Sequence, residues 1–141
     1  MFTHQRESLR NFYLETLEKI KNKNILSPLE SQVAEILLAH PEYLKDLEDI
    51  KILEKDFSVE LGEINPFLHL GLHMGLQEQV LTNRPAGIKE IYQNLLIKYS
   101  HQDPHEIQHL MMDQLAEILW LSQKYQTNPD EQKYLEKLRG L

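Results

Sequence analysis

Apolar residues along this chain recur at spacings of three and four, the period of one face of an α-helix. Leu9, Phe12, Tyr13, Leu17 and Ile20 mark such a stripe between Thr3 and Lys23; Leu29, Val33, Ile36 and Leu37 mark a second, and Ile88, Ile91, Tyr92, Leu95 and Tyr99 a third. The stretch from Pro104 to Tyr125 carries Ile107, Leu110, Met111, Leu115, Ile118, Leu119 and Trp120. So broad an apolar face predicts the central, most buried helix. A shorter helix is expected from Pro41 to Leu53, and a last one from Pro129 to Arg139, packing Tyr134, Leu135 and Leu138. Residues 55–63 mix Asp56, Ser58 and Gly62 with isolated apolar residues and predict a long loop. The chain has no convincing alternating strand pattern, no internal repeat and no low-complexity tract.

The prolines punctuate this pattern. All 6 stand where a helix could begin: Ser27-Pro28, His40-Pro41, Asn65-Pro66, Arg84-Pro85, Asp103-Pro104 and Asn128-Pro129. Proline is tolerated at the first helical position, where its missing N–H would have no intrahelical partner anyway. Ser27, Asn65, Asp103 and Asn128 are good N-cap residues. Glu30, Glu106 and Glu131 follow three of these caps at the spacing of a capping box.

Composition narrows the class. A chain of 141 residues suits one domain over 1–141. A domain of this size buries roughly 68–70% of the surface its unfolded chain exposes, so it needs no metal or disulfide merely to fold. The net charge of −7 is dispersed, which argues against nucleic acid and anionic membranes as partners. With no cysteine, disulfides, thiolate ligands and cysteine nucleophiles are excluded. The N-terminal stretch carries charge at every turn, unlike a signal peptide, and no 18-residue apolar run occurs; a cytoplasmic location is expected.

Candidate chemistry lies in the histidines. Of 7, His69 and His73 fall in one proline-started segment, His105 and His109 in another, and His101 just before the second. Two imidazoles four residues apart on a helix stack on one face, about 6 Å apart along the axis, which suits convergence on one metal ion. Leu68, Leu72 and Leu76 border the first pair, and partial desolvation favours the neutral imidazole that metals bind. The second pair sits at a helix N-terminus, whose partial positive charge acts in the same sense. If those helix ends meet, His69, His73, His105 and His109 bind a divalent transition metal: zinc, iron, manganese or nickel. Glu117, Asp113, Glu78 and Glu106 are the candidate carboxylate ligands or supports for ligating rings. Gly71 and Gly75, four apart in a helix, suggest close approach of another backbone or a ligand.

His105-Glu106-Ile107-Gln108-His109 also matches H-E-x-x-H, in which two histidines hold zinc and the glutamate is the general base of a peptidase. Glu106 is better explained as a helix cap, and no strand is visible to hold an extended peptide. Glu106 with His109 is a single Glu-x-x-His, half of a ferritin-like di-iron site. Met111 and Met112 fit core gap-filling, Trp120 with Tyr134 is expected to pack the last helix on the central one, and His40-Pro41-Glu42-Tyr43 reads as a helix junction.

The run from Gly62 to Ile88, GEINPFLHLGLHMGLQEQVLTNRPAGI, resembles a bacterial family known as domain of unknown function 1841. His40-Pro41-Glu42-Tyr43, the pair His105 and His109 followed by Met112, Leu115, Glu117, Trp120 and Gln123, and Tyr134-Leu135 extend the resemblance over nearly the whole chain. It implies a small cytosolic protein of one domain, and no activity. It further suggests that Asn65, Pro66, His69, His73, Glu78, Gln79, His105, His109 and Glu117 belong to a shared feature. This chain departs from the family pattern at Asp113-Gln114, where Glu-Cys is usual.

These observations predict an all-α, single-domain helical bundle of about six helices, with the helix over 104–125 packed against one over 66–80. Asn65, Pro66, Gly71, Gly75 and Trp120 are expected to shape the site. The expected function is metal binding through the two histidine pairs. The competing expectations are a non-catalytic protein-interaction or homo-oligomerisation module braced by structural histidines, and a zinc-dependent hydrolase.

Overall fold

The computed structural model describes residues 2–48, 52, 55, 57 and 65–141. Among them the chain is all-α, with no strand and seven helices: α1 (Phe2–Lys21), α2 (Pro28–Leu38), α3 (Pro41–Leu47), α4 (Pro66–Thr82), α5 (Ile88–Lys98), α6 (Pro104–Tyr125) and α7 (Glu131–Arg139). That is one more than expected. The sequence-predicted loop over 55–63 falls almost wholly outside the described residues.

Four of the six prolines occupy the first position of a helix, at 28, 41, 66 and 104. Ser27 closes a full capping box: its Oγ accepts from Glu30 N at 3.1 Å and Glu30 Oε1 accepts from Ser27 N at 2.9 Å. The other two prolines depart from expectation. α7 starts at Glu131 because Asp130 is its cap, its Oδ1 accepting from Lys133 N at 3.0 Å, so Glu131 holds the first helical position and closes no capping box. α5 starts at Ile88 behind Gly87, whose φ of +103° lies in the left-handed region that favours glycine. Asn83 Oδ1 accepts from Gly87 N at 3.0 Å and Lys89 N at 3.2 Å, serving as a cap from outside the helix. α3 ends at Leu47, well short of Leu53; 49–51 and Leu53 itself lie outside the described residues.

The chain divides into two compact units, Met1–Leu70 and Gly71–Leu141, with the boundary inside α4. In the first, α1 lies against α2 and α2 against α3. Tyr13, Leu17, Val33, Ile36, Leu37 and Phe67 are buried there. Thr16 is buried too, its hydroxyl donating to Phe12 O at 2.8 Å. Arg10 is buried with them, donating to Ile52 O at 3.3 Å and Lys55 O at 2.8 Å while its guanidinium lies 4.7 Å over the Phe67 ring. Leu9 and Leu29, read as core-facing, stand exposed at the edges of their stripes.

In the second unit, α5, α6 and α7 pack on one another. Their core joins Leu76 of α4 to Ile88, Ile91 and Leu95 of α5, Ile107, Met111, Met112, Leu115 and Ile118 of α6, and Tyr134 and Leu138 of α7. Burying each such aliphatic side chain stabilises the fold by about 1.5–3 kcal/mol. α6 is therefore central to this unit, as its broad apolar face predicts. α7 is seated by Tyr134, whose hydroxyl donates to Gln79 Oε1 at 2.8 Å, and not by Trp120. Trp120 is 57% exposed and lies under the Lys124 ammonium, 4.8 Å from its ring centre. No helix among the described residues is long and apolar enough to cross a membrane.

Candidate metal centre

Asn65 and Pro66 start α4 as their types dictate. Asn65 Oδ1 accepts from Phe67 N at 3.0 Å and Leu68 N at 3.2 Å, and Pro66 fills the first helical position. α4 then carries His69 and His73 one helical turn apart, His69 in the first compact unit and His73 in the second. Each has a histidine partner within its own unit.

In the first unit the partner is His40, which is buried at the junction of α2 and α3. His40 Nδ1 lies 2.8 Å from Ile36 O. A carbonyl oxygen only accepts, so Nδ1 carries the proton, and the last turn of α2 gains a partner for one of its orphan carbonyls. In the neutral ring the Nε2 lone pair is then free to face outward, and it meets His69 Nε2 at 3.0 Å. Tyr43 stacks on His40 with ring centres 5.5 Å apart and presents an edge contact to His69 at the same separation. His40-Pro41 is thus the helix junction the sequence suggests, and also the partner of His69. Its position four residues after Ile36, just past a helix end, is the signal that could have marked it.

In the second unit the partner of His73 is His109. Phe67, Leu70, His73 and Leu76 recur every third residue on α4, and all four are buried. His73 therefore occupies a core position in an apolar stripe, where an unpaired polar atom is costly. Its Nδ1 donates to Gln108 Oε1 at 3.0 Å, and the same oxygen accepts from Gln77 Nε2 at 3.3 Å. Its Nε2 stands 3.0 Å from His109 Nε2. On the other side of the His109 ring, Nδ1 is 3.7 Å from Glu106 Oε1, an electrostatic contact too long for a hydrogen bond. The Glu106 carboxylate is directed at His109; Asp103 caps α6 through His105 N at 2.9 Å without a capping box.

The remaining sequence candidates lie as follows. The His105 ring meets that of His73 edge to face, centres 5.8 Å apart. Glu117 is bound to Lys137 at 2.6 Å, a hydrogen-bonded ion pair that holds its carboxyl below the usual range. Glu78, Asp113 and His101 are exposed. At Gly71 and Gly75, apart from their own helix, no described protein atom comes within 4 Å of where a Cβ would stand.

Two features make these pairs fit for metal binding. His40 and His73 are held by acceptors at Nδ1, the orientation that turns Nε2 toward a metal. Two nitrogens each about 2.0–2.1 Å from a tetrahedral zinc stand about 3.3 Å apart, so pairs at 3.0 Å need widen by only a few tenths of an ångström. In the metal-free protein the same contacts serve as N–H···N hydrogen bonds, with His69 and His109 donating from Nε2.

No curated protein and no solved structure matches this chain. Its sequence does match, over residues 5–140, the family described as Domain of unknown function (DUF1841), and the chain belongs to that family.

Proposed function

We propose that this protein binds a divalent transition-metal ion through facing histidine pairs, His73 with His109 in the second unit and His40 with His69 in the first. The observation that carries the proposal is the buried His73 ring, tied at Nδ1 and facing a second imidazole nitrogen at Nε2. His40 stands in the proposed set in place of His105, because it meets a neighbouring histidine nitrogen to nitrogen whereas His105 meets His73 ring edge to ring.

Imidazoles without thiolate suit zinc, nickel, copper or iron better than manganese. Each pair would supply two of the four positions of a tetrahedral ion. Binding requires the Nε2 protons of His69 and His109 to move to Nδ1. At His109 the Glu106 carboxylate lies 3.7 Å from Nδ1, on the side where that proton would stand.

The test is elemental analysis of protein purified without a polyhistidine tag, beside the His73→Ala/His109→Ala and His40→Ala/His69→Ala double variants. Bound metal in the parent, lowered in each variant, is expected. Below about a tenth of an equivalent of every transition metal, with no response of melting temperature to zinc or chelator, the proposal fails.

A further inference from the structure

Gln108 stands beside a proposed ligand in sequence and against another in space. Its Oε1 lies 3.0 Å from His73 Nδ1 and 3.3 Å from Gln77 Nε2. Gln77 is one turn beyond His73 on α4, so the two amides and the imidazole form a short chain across the α4–α6 contact within the second unit. With the Gln108 oxygen placed against the ring, the protons have one assignment. An amide oxygen cannot donate, so the N–H facing it must be on His73. With Gln77 as it stands, turning the Gln108 amide over would set its NH2 group against the Gln77 NH2 group, donor against donor. Gln77 thus holds the oxygen of Gln108 toward the ring.

We infer that Gln108, oriented by Gln77, is a positioning residue that locks His73 as its Nδ1–H tautomer and so keeps the Nε2 lone pair turned toward His109. The tautomer lock is a property of the metal-free protein; its effect on affinity rests on the metal-binding proposal above. Without the Gln108 oxygen a buried Nδ1–H would have lost its acceptor, at about 1–3 kcal/mol. The proton then does better on Nε2, donating to His109, where it occupies the lone pair that a metal needs. Partners of this kind typically change metal affinity by about 10–100-fold.

Two readouts separate the claims. Ring 1H–15N correlation spectra of metal-free protein at about pH 8 report the His73 tautomer, and competition with a chromophoric chelator reports Co(II) affinity. The parent is expected to show Nδ1–H. Gln108→Leu should shift His73 to Nε2–H and weaken Co(II) binding by about 10–100-fold, and Gln108→Glu, which keeps an acceptor, should restore both. Gln77→Leu should produce a smaller change in the same direction, and it decides the matter if Gln108→Leu does not fold. Persistence of Nδ1–H, or unchanged Co(II) affinity, in the deciding variant overturns the inference. If no protein binds Co(II) yet the tautomer switches, the lock stands and the metal-binding proposal falls.

Discussion

His73 Nε2 and His109 Nε2 stand 3.0 Å apart, linking α4 to α6. A metal at such a contact stabilises the folded chain only, because the unfolded chain does not hold the ligands together. Zinc at about a hundred times its dissociation constant should therefore add about 2.7 kcal/mol to stability. The rise in melting temperature should be absent from His73→Ala/His109→Ala. An equal rise in that variant would show that zinc acts elsewhere.

Glu106 offers a narrower test, since its carboxylate lies on the Nδ1 side of the His109 ring. Glu106→Gln removes its charge and should weaken Co(II) binding by several-fold, less than loss of a ligand does, with folding unchanged. Its exposed position makes the fold insensitive to the substitution. Unchanged affinity would remove Glu106 from any part in the site.

Acid stability should depend on Glu30. Lys19 Nζ donates to its carboxylate at 2.6 Å and Ser27 N donates to it as well, and together they lower its pKa from 4.5 to about 2. A carboxyl whose folded pKa is depressed stabilises the fold above its unfolded value. That contribution is lost as pH falls through the folded pKa. The melting temperature of the parent should thus exceed that of Glu30→Gln at pH 6, and the gap should close between about pH 4.5 and pH 2. A gap constant over that range would contradict the assignment.

Gly71→Ala and Gly75→Ala should each stabilise the protein by about 0.5–1 kcal/mol, because both lie within a helix and an added methyl meets no atom of the described residues outside it. Denaturant unfolding measures this directly. Destabilisation would show that something closes on this face in solution.

The helices were legible because their signals are local. Apolar periodicity together with Ser27, Asn65 and Asp103 before proline places α2, α4 and α6 at the expected starts, and Pro104 and Tyr125 bound α6 as predicted. Local signals failed where a competing cap lay nearby. Asp130 displaced Asn128, and Asn83 with Gly87 displaced Pro85, because a side chain can cap a helix only from the backbone geometry it actually reaches. Spacing placed His69 and His73 on one helix but could not assign their partners. His40 lies 29 residues from His69, and Gln108 lies 35 from His73.

By itself, then, the sequence determined an all-α chain, its family, and two histidine-bearing helices with capped starts, since backbone hydrogen bonding and apolar stripes act over a few residues. Only the tertiary structure decided which imidazole nitrogens face each other. It likewise decided that Glu117 belongs to Lys137. Those outcomes depend on side chains distant in sequence meeting at hydrogen-bond range, where a difference of one ångström separates a partner from a neighbour.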